Sequence, residues 1–369
     1  MPRIGTALGH AMSRGLRPGR TTTYAIAATM VAIGLQATAA LAAAAPVAPT
    51  PAAPKSGALE HLAAVKCADF ARLQARYSKQ FATKLSSWST AQLPDLQNRP
   101  ALYLFSGPDI VTAMALFPTA SHLTLIADQK PEYELLTQAD ADSAAQTARE
   151  CKMLGFFSRL GYYRTDDLNG KNGARPRFIK LLVYSIAFGG ASVTDTQLLS
   201  VGAKGELVAS RTGAVKGTQG VRFDARRADG RMLQIDYLEI DLSNHGLKPD
   251  SGAVAFIQQN ARDVLFLKSA SHLLQSPHFS RLADLLVNPP APFVVQDETG
   301  LGIDRLRKAY RLSLYGKFTG PQALWAKSPS AHALADDYAT HEVAGPLPFT
   351  IGYEKKAGSA LLVGRRAGH

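Results

Sequence analysis

The spacing of apolar residues divides the chain into elements before any chemistry is considered. Between Leu59 and Trp88, Leu59, Leu62, Phe70, Leu73, Tyr77, Phe81 and Leu85 fall at helical steps, which predicts a long amphipathic helix packed on the domain. The segment Ala101–Pro131 then reads as strand, loop, helix, strand. Leu102–Phe105 is a short apolar run. Pro108 suits a first helical position ahead of Ile110–Phe117, and Leu123–Ala127 is a second strand ending at Asp128. A helix is expected from about Glu132 to Phe157. Residues 161–177 are loop-like, with Asn-Gly pairs at 169–170 and 172–173. Phe178–Phe188 is apolar throughout, so its periodicity does not choose between helix and strand, whereas Val193–Val201 favours strand.

Period-two alternation returns in Gly220–Asp224 and Met232–Leu242. These runs flank Ala228-Asp229-Gly230-Arg231, a hairpin signal. A short helix (Gly252–Asn260), a strand (Val264–Leu267), a helical stretch (Ser269–Val287) and a strand (Phe293–Gln296) follow. Tyr310–Tyr315 alternates as a strand, a helix is expected near 321–341, and Phe349–Tyr353 with Ala360–Gly364 reads as a closing hairpin. Strands alternating with helices argue for an α/β fold. The expected form is a mixed, mostly parallel Rossmann-like sheet flanked by helices, with antiparallel hairpin additions.

Charge changes the picture at the N-terminus. Arg3, Arg14, Arg17 and Arg20 precede a run from Tyr24 to Ala45 with no charged residue, and Ala40-Leu41-Ala42 supplies a small-residue cleavage signal. Residues 1–42 therefore read as a secretory signal peptide, with a retained membrane anchor as the alternative. Cleavage would leave no stable membrane span. The Pro/Ala-rich residues 43–57 read as a flexible linker, and 58–369 as one α/β domain carrying the N-terminal helix. The expected location is periplasmic or secreted. Loss of residues 1–42 removes four Arg and no acid, lowering the formal net charge from +12 to +8.

Basic clusters at Arg222, Arg226, Arg227 and Arg231 and at Arg175, Arg177 and Lys180 suit an anionic envelope component or simply a solvated surface. No nucleic-acid-binding motif is present, and nucleic acid is not an expected partner. The oligomeric state is not legible. Cys67 and Cys151 would meet an oxidising compartment, where they either form a disulfide or stay as two buried thiols. No metal site is indicated by their surroundings.

Ligands in open α/β sheets sit beyond the carboxyl ends of the strands. Four segments place polar residues there: Ser106, Gly107 and Asp109; Asp128; Lys268, Ser269, Ser271 and His272; and Asp297 with Thr299. Each has a structural reading beside the functional one. Asp109 suits helix capping, Asp128 and Asp297 suit turns, and His272 suits a core-facing position. The GxSxG, GxxxxGK[ST], HExxH, CxxC and GxGxxG signatures are absent. No nucleophile–base–oxyanion set can be assembled from motifs, and whether the chain is an enzyme is left open.

Over roughly Ala101 to Tyr315 the order of elements resembles a class I methyltransferase-like Rossmann domain. That resemblance implies a crevice at the strand ends, with Asp128 where such a domain holds a ribose hydroxyl. FSGPD stands in place of the glycine-rich cofactor loop, and no cofactor is expected. The combination LFSGPDIVTAMALFP, DLSN, LKSASHLL, VVQDETG, LYGKF and LPFTIGY is similar to a group of uncharacterised exported bacterial proteins and implies a family rather than a mechanism. The leading expectation is an exported α/β protein binding a small or envelope-derived ligand at the strand ends. The alternatives are a periplasmic hydrolase or transferase acting on an envelope component, and an envelope interaction protein.

Overall fold

Two apolar runs, Ala101–Leu104 (β1) and His122–Asp128 (β2), lie parallel, with Ala101 opposite Leu123 and Leu104 opposite Ile126. Helix α3 (Ile110–Leu116) carries the chain from one to the other, as the sequence predicts. In the computed structural model the described residues are 67–129, 144–163, 168, 178–209, 218–318, 320, 328–353 and 359–366. The chain divides by compactness into Met1–Ala52 and Ala53–His369, and every described residue belongs to the second unit. The expected signal peptide, the linker and the start of the Leu59–Trp88 helix lie outside the described residues.

The other strands are β3 (Ala191–Val201), β4 (Leu207–Ala209), β5 (Gly220–Arg227), β6 (Met232–Ile240), β7 (Val264–Leu267), β8 (Phe293–Asp297), β9 (Tyr310–Gly316) and β10 (Ala360–Arg366). They form one ten-stranded sheet in the order β4-β3-β5-β6-β2-β1-β7-β8-β10-β9. Strands β6, β2, β1, β7 and β8 are mutually parallel. The chain leaves β1 toward β2 on one side and returns through β7 on the other, so strand order reverses between β1 and β7.

The expectation of a mostly parallel sheet is corrected. Of the nine pairings, β3–β4, β3–β5, β5–β6, β8–β10 and β9–β10 are antiparallel. Short reversals join several of these strands, such as Asp229-Gly230 between β5 and β6, with Gly230 at φ +85. A parallel pair requires a long crossover instead. The expected closing hairpin is also absent. Strand β10 pairs with β8 on one edge and β9 on the other, which leaves no edge for Phe349–Tyr353.

Alternate residues of each strand point to opposite faces. Tyr103, Leu125, Phe266 and Val295 face one core, which also takes α3 and the N-terminal helices. Those helices are α1 (Phe70–Tyr77) and α2 (Thr83–Gln92), joined by a π-turn at Ser78–Ala82. Their Leu73, Tyr77, Leu85 and Trp88 are buried, so the amphipathic stripe is core. Leu102, Leu104, Leu265 and Leu267 face the second core.

Helix α4 is Ala144–Leu160, and the expected start near Glu132 falls in residues 130–143, which lie outside the described residues. The ambiguous apolar run is helix α5 (Phe178–Phe188), buried along nearly its whole length. After α6 (Gly252–Asn260), the stretch expected as one helix is broken. It forms 3₁₀ turns at Ser269–Gln275 and Pro277–Phe279 before α7 (Ser280–Val287), because proline cannot continue a helix through position 277. Helices α8 (Ile303–Ala309) and α9 (Pro329–Thr340) complete the described set.

Cys67 and Cys151 are at disulfide distance, S–S 1.96 Å with Cα atoms 5.6 Å apart, tying the chain ahead of α1 to α4. No helix among the described residues is long and apolar enough to cross a membrane.

Candidate functional site

Asp109 begins as a helix cap. Its Oδ1 accepts from the Thr112 amide at 3.2 Å and the Thr112 hydroxyl at 2.8 Å, closing the first turn of α3. Oδ2 points across the β1–β7 reversal and accepts from Lys268 Nζ at 2.6 Å and from the Tyr103 hydroxyl at 3.2 Å. Lys268 follows β7, is 1 % exposed, and also donates to Gly161 O at 2.8 Å. Gly161 ends α4 with φ +71, so the ammonium meets the negative end of a helix as well as a carboxylate. This pair closes the floor of the reversal.

Three tyrosines surround that floor, Tyr77 and Tyr103 buried and Tyr163 half-buried. Burial pushes Tyr77, Tyr103 and Tyr163 up, and the Asp109 charge pushes them further. They stay protonated, and Tyr163 shares a 2.8 Å hydrogen bond with Ser185.

A second network begins one strand over, at the end of β8. Asp297 is fully buried and accepts from Ser269 N at 2.8 Å, Thr299 N at 2.9 Å and Thr299 Oγ1 at 2.5 Å. Thr299 Oγ1 also shares a 2.9 Å bond with Ser271 Oγ. Burial raises the Asp297 carboxyl above the usual range, although those donors and Lys268 pull it down. His272 Nδ1 lies 3.2 Å from Ser269 O.

The backbone is strained at both strand ends. Phe105 and Ser269 each have φ +56, a left-handed conformation that side chains other than glycine resist. Gly107 meets the same demand at φ +49 without that cost. Beyond these turns lie two buried hydroxyls, Ser106 Oγ and Ser269 Oγ. Neither has a hydrogen-bond partner among the described residues, although the side chains are only 5 % and 8 % exposed. Leu104 pairs with Leu267, so both serines stand two residues past matched positions on adjacent parallel strands.

The ends of β1, β7 and β8 thus hold nine of the ten candidates, linked as Asp109–Lys268 and Ser269–Asp297–Thr299–Ser271, with Ser106, Gly107 and His272 in the same loops. Asp128 belongs elsewhere. Its Oδ1 accepts from Leu242 N at 2.9 Å, fixing the turn after β6. Burial raises its carboxyl and the Asp241 charge adds to this, while the Leu242 bond opposes it. Lys268, committed to Asp109 and Gly161, bonds neither Ser106 Oγ nor Ser269 Oγ. No group of three or more metal-ligating side chains occurs among the described residues.

Of the basic clusters singled out from the sequence, Arg175 and Arg177 lie outside the described residues, Arg226 and Arg231 are exposed, and Arg222 and Arg227 are half-buried. Arg222 makes a bidentate pair with Asp236 at 2.6 and 2.9 Å. Arg227 donates to Phe117 O and Ala120 O, and Arg231 to Pro118 O, around the end of α3. A groove of 870 Å³ runs beside the Cys67–Cys151 pair, lined by Asp69, Leu73, Thr147, Phe156 and Arg159 among others. None of its lining residues is a site candidate.

Sequence reasoning missed Tyr103 and Gly161. A glycine closing a long helical pattern is a C-terminal signal that would have located Gly161. The tyrosine carries no local signal, because its role depends on pairing between distant segments.

No protein-family model matches this chain, and no curated protein matches it. Among solved structures, the chain is similar to a crystal structure of the Thermoplasma acidophilum protein 1320. That likeness has 6 % identity and a TM-score of 0.31 over 81 % of this chain and 98 % of that one, and it carries no argument here.

Proposed function

We propose that the chain is an exported, noncatalytic binding protein on a methyltransferase-like sheet, taking a small ligand at the reversal between β1 and β7. The strand order β6-β2-β1-β7-β8, followed by an antiparallel β10 and then β9, supports the methyltransferase-like reading. FSGPD supports loss of the cofactor, because Asp109 is drawn into the Lys268 pair where a glycine-rich loop would leave open backbone amides. Export is supported by the basic and apolar N-terminal pattern and by the Cys67–Cys151 pair.

The observation that carries the binding reading is the pair of unsatisfied hydroxyls, Ser106 Oγ and Ser269 Oγ, beside a self-neutralised ion pair. A buried hydroxyl without a partner costs about 1–3 kcal/mol, and such a cost is tolerated where a ligand supplies the bond. The test is native mass spectrometry on protein secreted by its own signal. The wild type is expected to carry a small-molecule adduct that the Ser106→Ala/Ser269→Ala double variant loses while keeping its circular dichroism spectrum. A wild type without adduct, or an adduct indifferent to both serines, overturns the reading.

A further inference from the structure

Helix α4 is apolar on two sides. One side turns Met153, Leu154 and Phe157 into the core. The far side carries Ala144, Ala148, Cys151 and Gly155 at helical steps, where an outward stripe is ordinarily charged or polar. That far side is the floor of the 870 Å³ groove, and Leu73 of α1 forms part of its wall. The volume falls within the range of small-molecule sites, about 300–1,000 Å³. The Cys67–Cys151 pair ties the chain ahead of α1 to the floor, so the spacing of wall and floor is set before a ligand arrives.

Gly155 deepens the trough. A glycine within a helix costs stability relative to alanine. Packing does not demand it here, because the nearest atom that an added Cβ would meet is Leu73 Cδ1 at 4.0 Å, an ordinary contact.

Charge is confined to one end. Lys152 Nζ and Arg159 Cζ stand 5.7 and 5.1 Å from the centre of the Phe156 ring. Lys152 and Arg159 are exposed, and neither forms an ion pair among the described residues. The acid in the lining, Asp69, is paired with Arg72 at 2.7 Å and adds no net charge. From Ala144 to Ala148 the helix holds no charged residue. The groove therefore has a cationic end and an uncharged trough, laid along about 22 Å of one helix.

We propose that this groove is a second binding site, separate from the strand ends, for a single-chain amphiphile with an anionic head. The apolar chain lies on Ala144, Ala148 and Gly155, and the head meets Lys152 and Arg159. One charged end and one bare trough match one head and one tail. An amphipathic helix would instead spread its charges along the groove, where the floor offers them no partner.

The test is calorimetric titration of sodium dodecanoate, below its micelle concentration, into the purified protein. One saturable site per chain is expected, at least about tenfold tighter than for dodecyltrimethylammonium. Affinity should rise about fivefold for each added pair of methylenes from octanoate through decanoate to dodecanoate. The Lys152→Gln/Arg159→Gln double variant is expected to weaken dodecanoate by about tenfold. Ala148→Leu should weaken it at least as much by filling the floor. All three positions are exposed, so both variants should melt near the wild-type temperature without ligand. Ser106→Ala/Ser269→Ala should leave dodecanoate binding unchanged, which separates this site from the one at the strand ends.

No saturable binding, equal affinity for the cationic amphiphile, or binding indifferent to Ala148→Leu overturns the proposal. So does a melting temperature lowered by Ala148→Leu, or a dimer that this variant dissociates. The groove would then be packed by another part of the chain or by a second copy.

Discussion

Two charged networks cross this sheet, and they differ in what surrounds them. At the β1–β7 reversal, Asp109 and Lys268 have side chains 5 % and 1 % exposed, with two unsatisfied hydroxyls and two left-handed residues close by in sequence. On strands β2, β5 and β6, Asp236 accepts from Arg222 and shares a 2.9 Å bond with His122, whose side chains are 27 % and 29 % exposed. The strands carrying this second network have no left-handed residue ahead of the reversal after β5. Complete pairing of a buried charge without strain is what a stabilising device looks like. Paired charge beside unpaired hydroxyls and strained backbone is what a binding floor looks like.

The largest expected effect comes from opening the sealed pair. Lys268→Ala leaves the Asp109 carboxylate buried without a cation and is expected to cost about 3–5 kcal/mol in urea unfolding. Asp109→Asn combined with Lys268→Met removes both charges and should recover most of that loss. Arg222→Ala is expected to cost only about 1–2 kcal/mol, because Asp236 keeps its bond to His122 and the Arg222 side chain is itself 27 % exposed. Equal losses for Lys268→Ala and Arg222→Ala would erase the distinction between the two networks.

Next in size is an effect of opposite sign. Ser106→Ala removes a buried hydroxyl that has no partner, and Ser269→Gly removes another together with its left-handed strain. Each is expected to raise stability by about 1 kcal/mol in the absence of ligand. His122→Ala should lower stability by a similar amount, since it strips a bond from a buried carboxylate. Melting temperatures of the three variants decide the matter, and a loss at both serines would mark them as ordinary structural residues.

The sequence made the first network visible and left the second hidden, for physical reasons. Asp109, Lys268 and Asp297 were legible because they follow apolar runs that can be read as strands, and α/β sheets gather strand ends on one side. The pairing of Asp109 with Lys268 was not legible, because it joins residues 159 apart through the position of β7 beside β1. Asp236 lies inside an alternating strand, where nothing local marks its pairing with Arg222 and His122. The hairpin expected at Phe349–Tyr353 failed because strand character is local while edge availability is a property of the whole sheet. The parallel bias failed for the same reason, since the antiparallel pairs at both margins follow from connections the periodicity does not encode.

The smallest expected effect separates the networks by pH. Burial alone would raise the Asp236 carboxyl, but the hydrogen bonds from His122 and Arg222 outweigh it and hold the carboxyl below the usual range. The unfolded chain then binds more protons there, so Asp236 adds stability that is complete above a pH of about 4 and is lost as pH falls through the folded value. Asp297 has the opposite sign. Its raised folded value means the native state holds the extra proton, so its contribution declines as pH climbs from about 4 through that value. Urea midpoints between pH 3 and 8, taken as wild type minus Asp236→Asn and wild type minus Asp297→Asn, should therefore slope upward with pH for the first and downward for the second. Slopes of the same sign would mean that the donors around Asp297 overcome its burial, and its carboxylate would then be no different in kind from the one under Arg222.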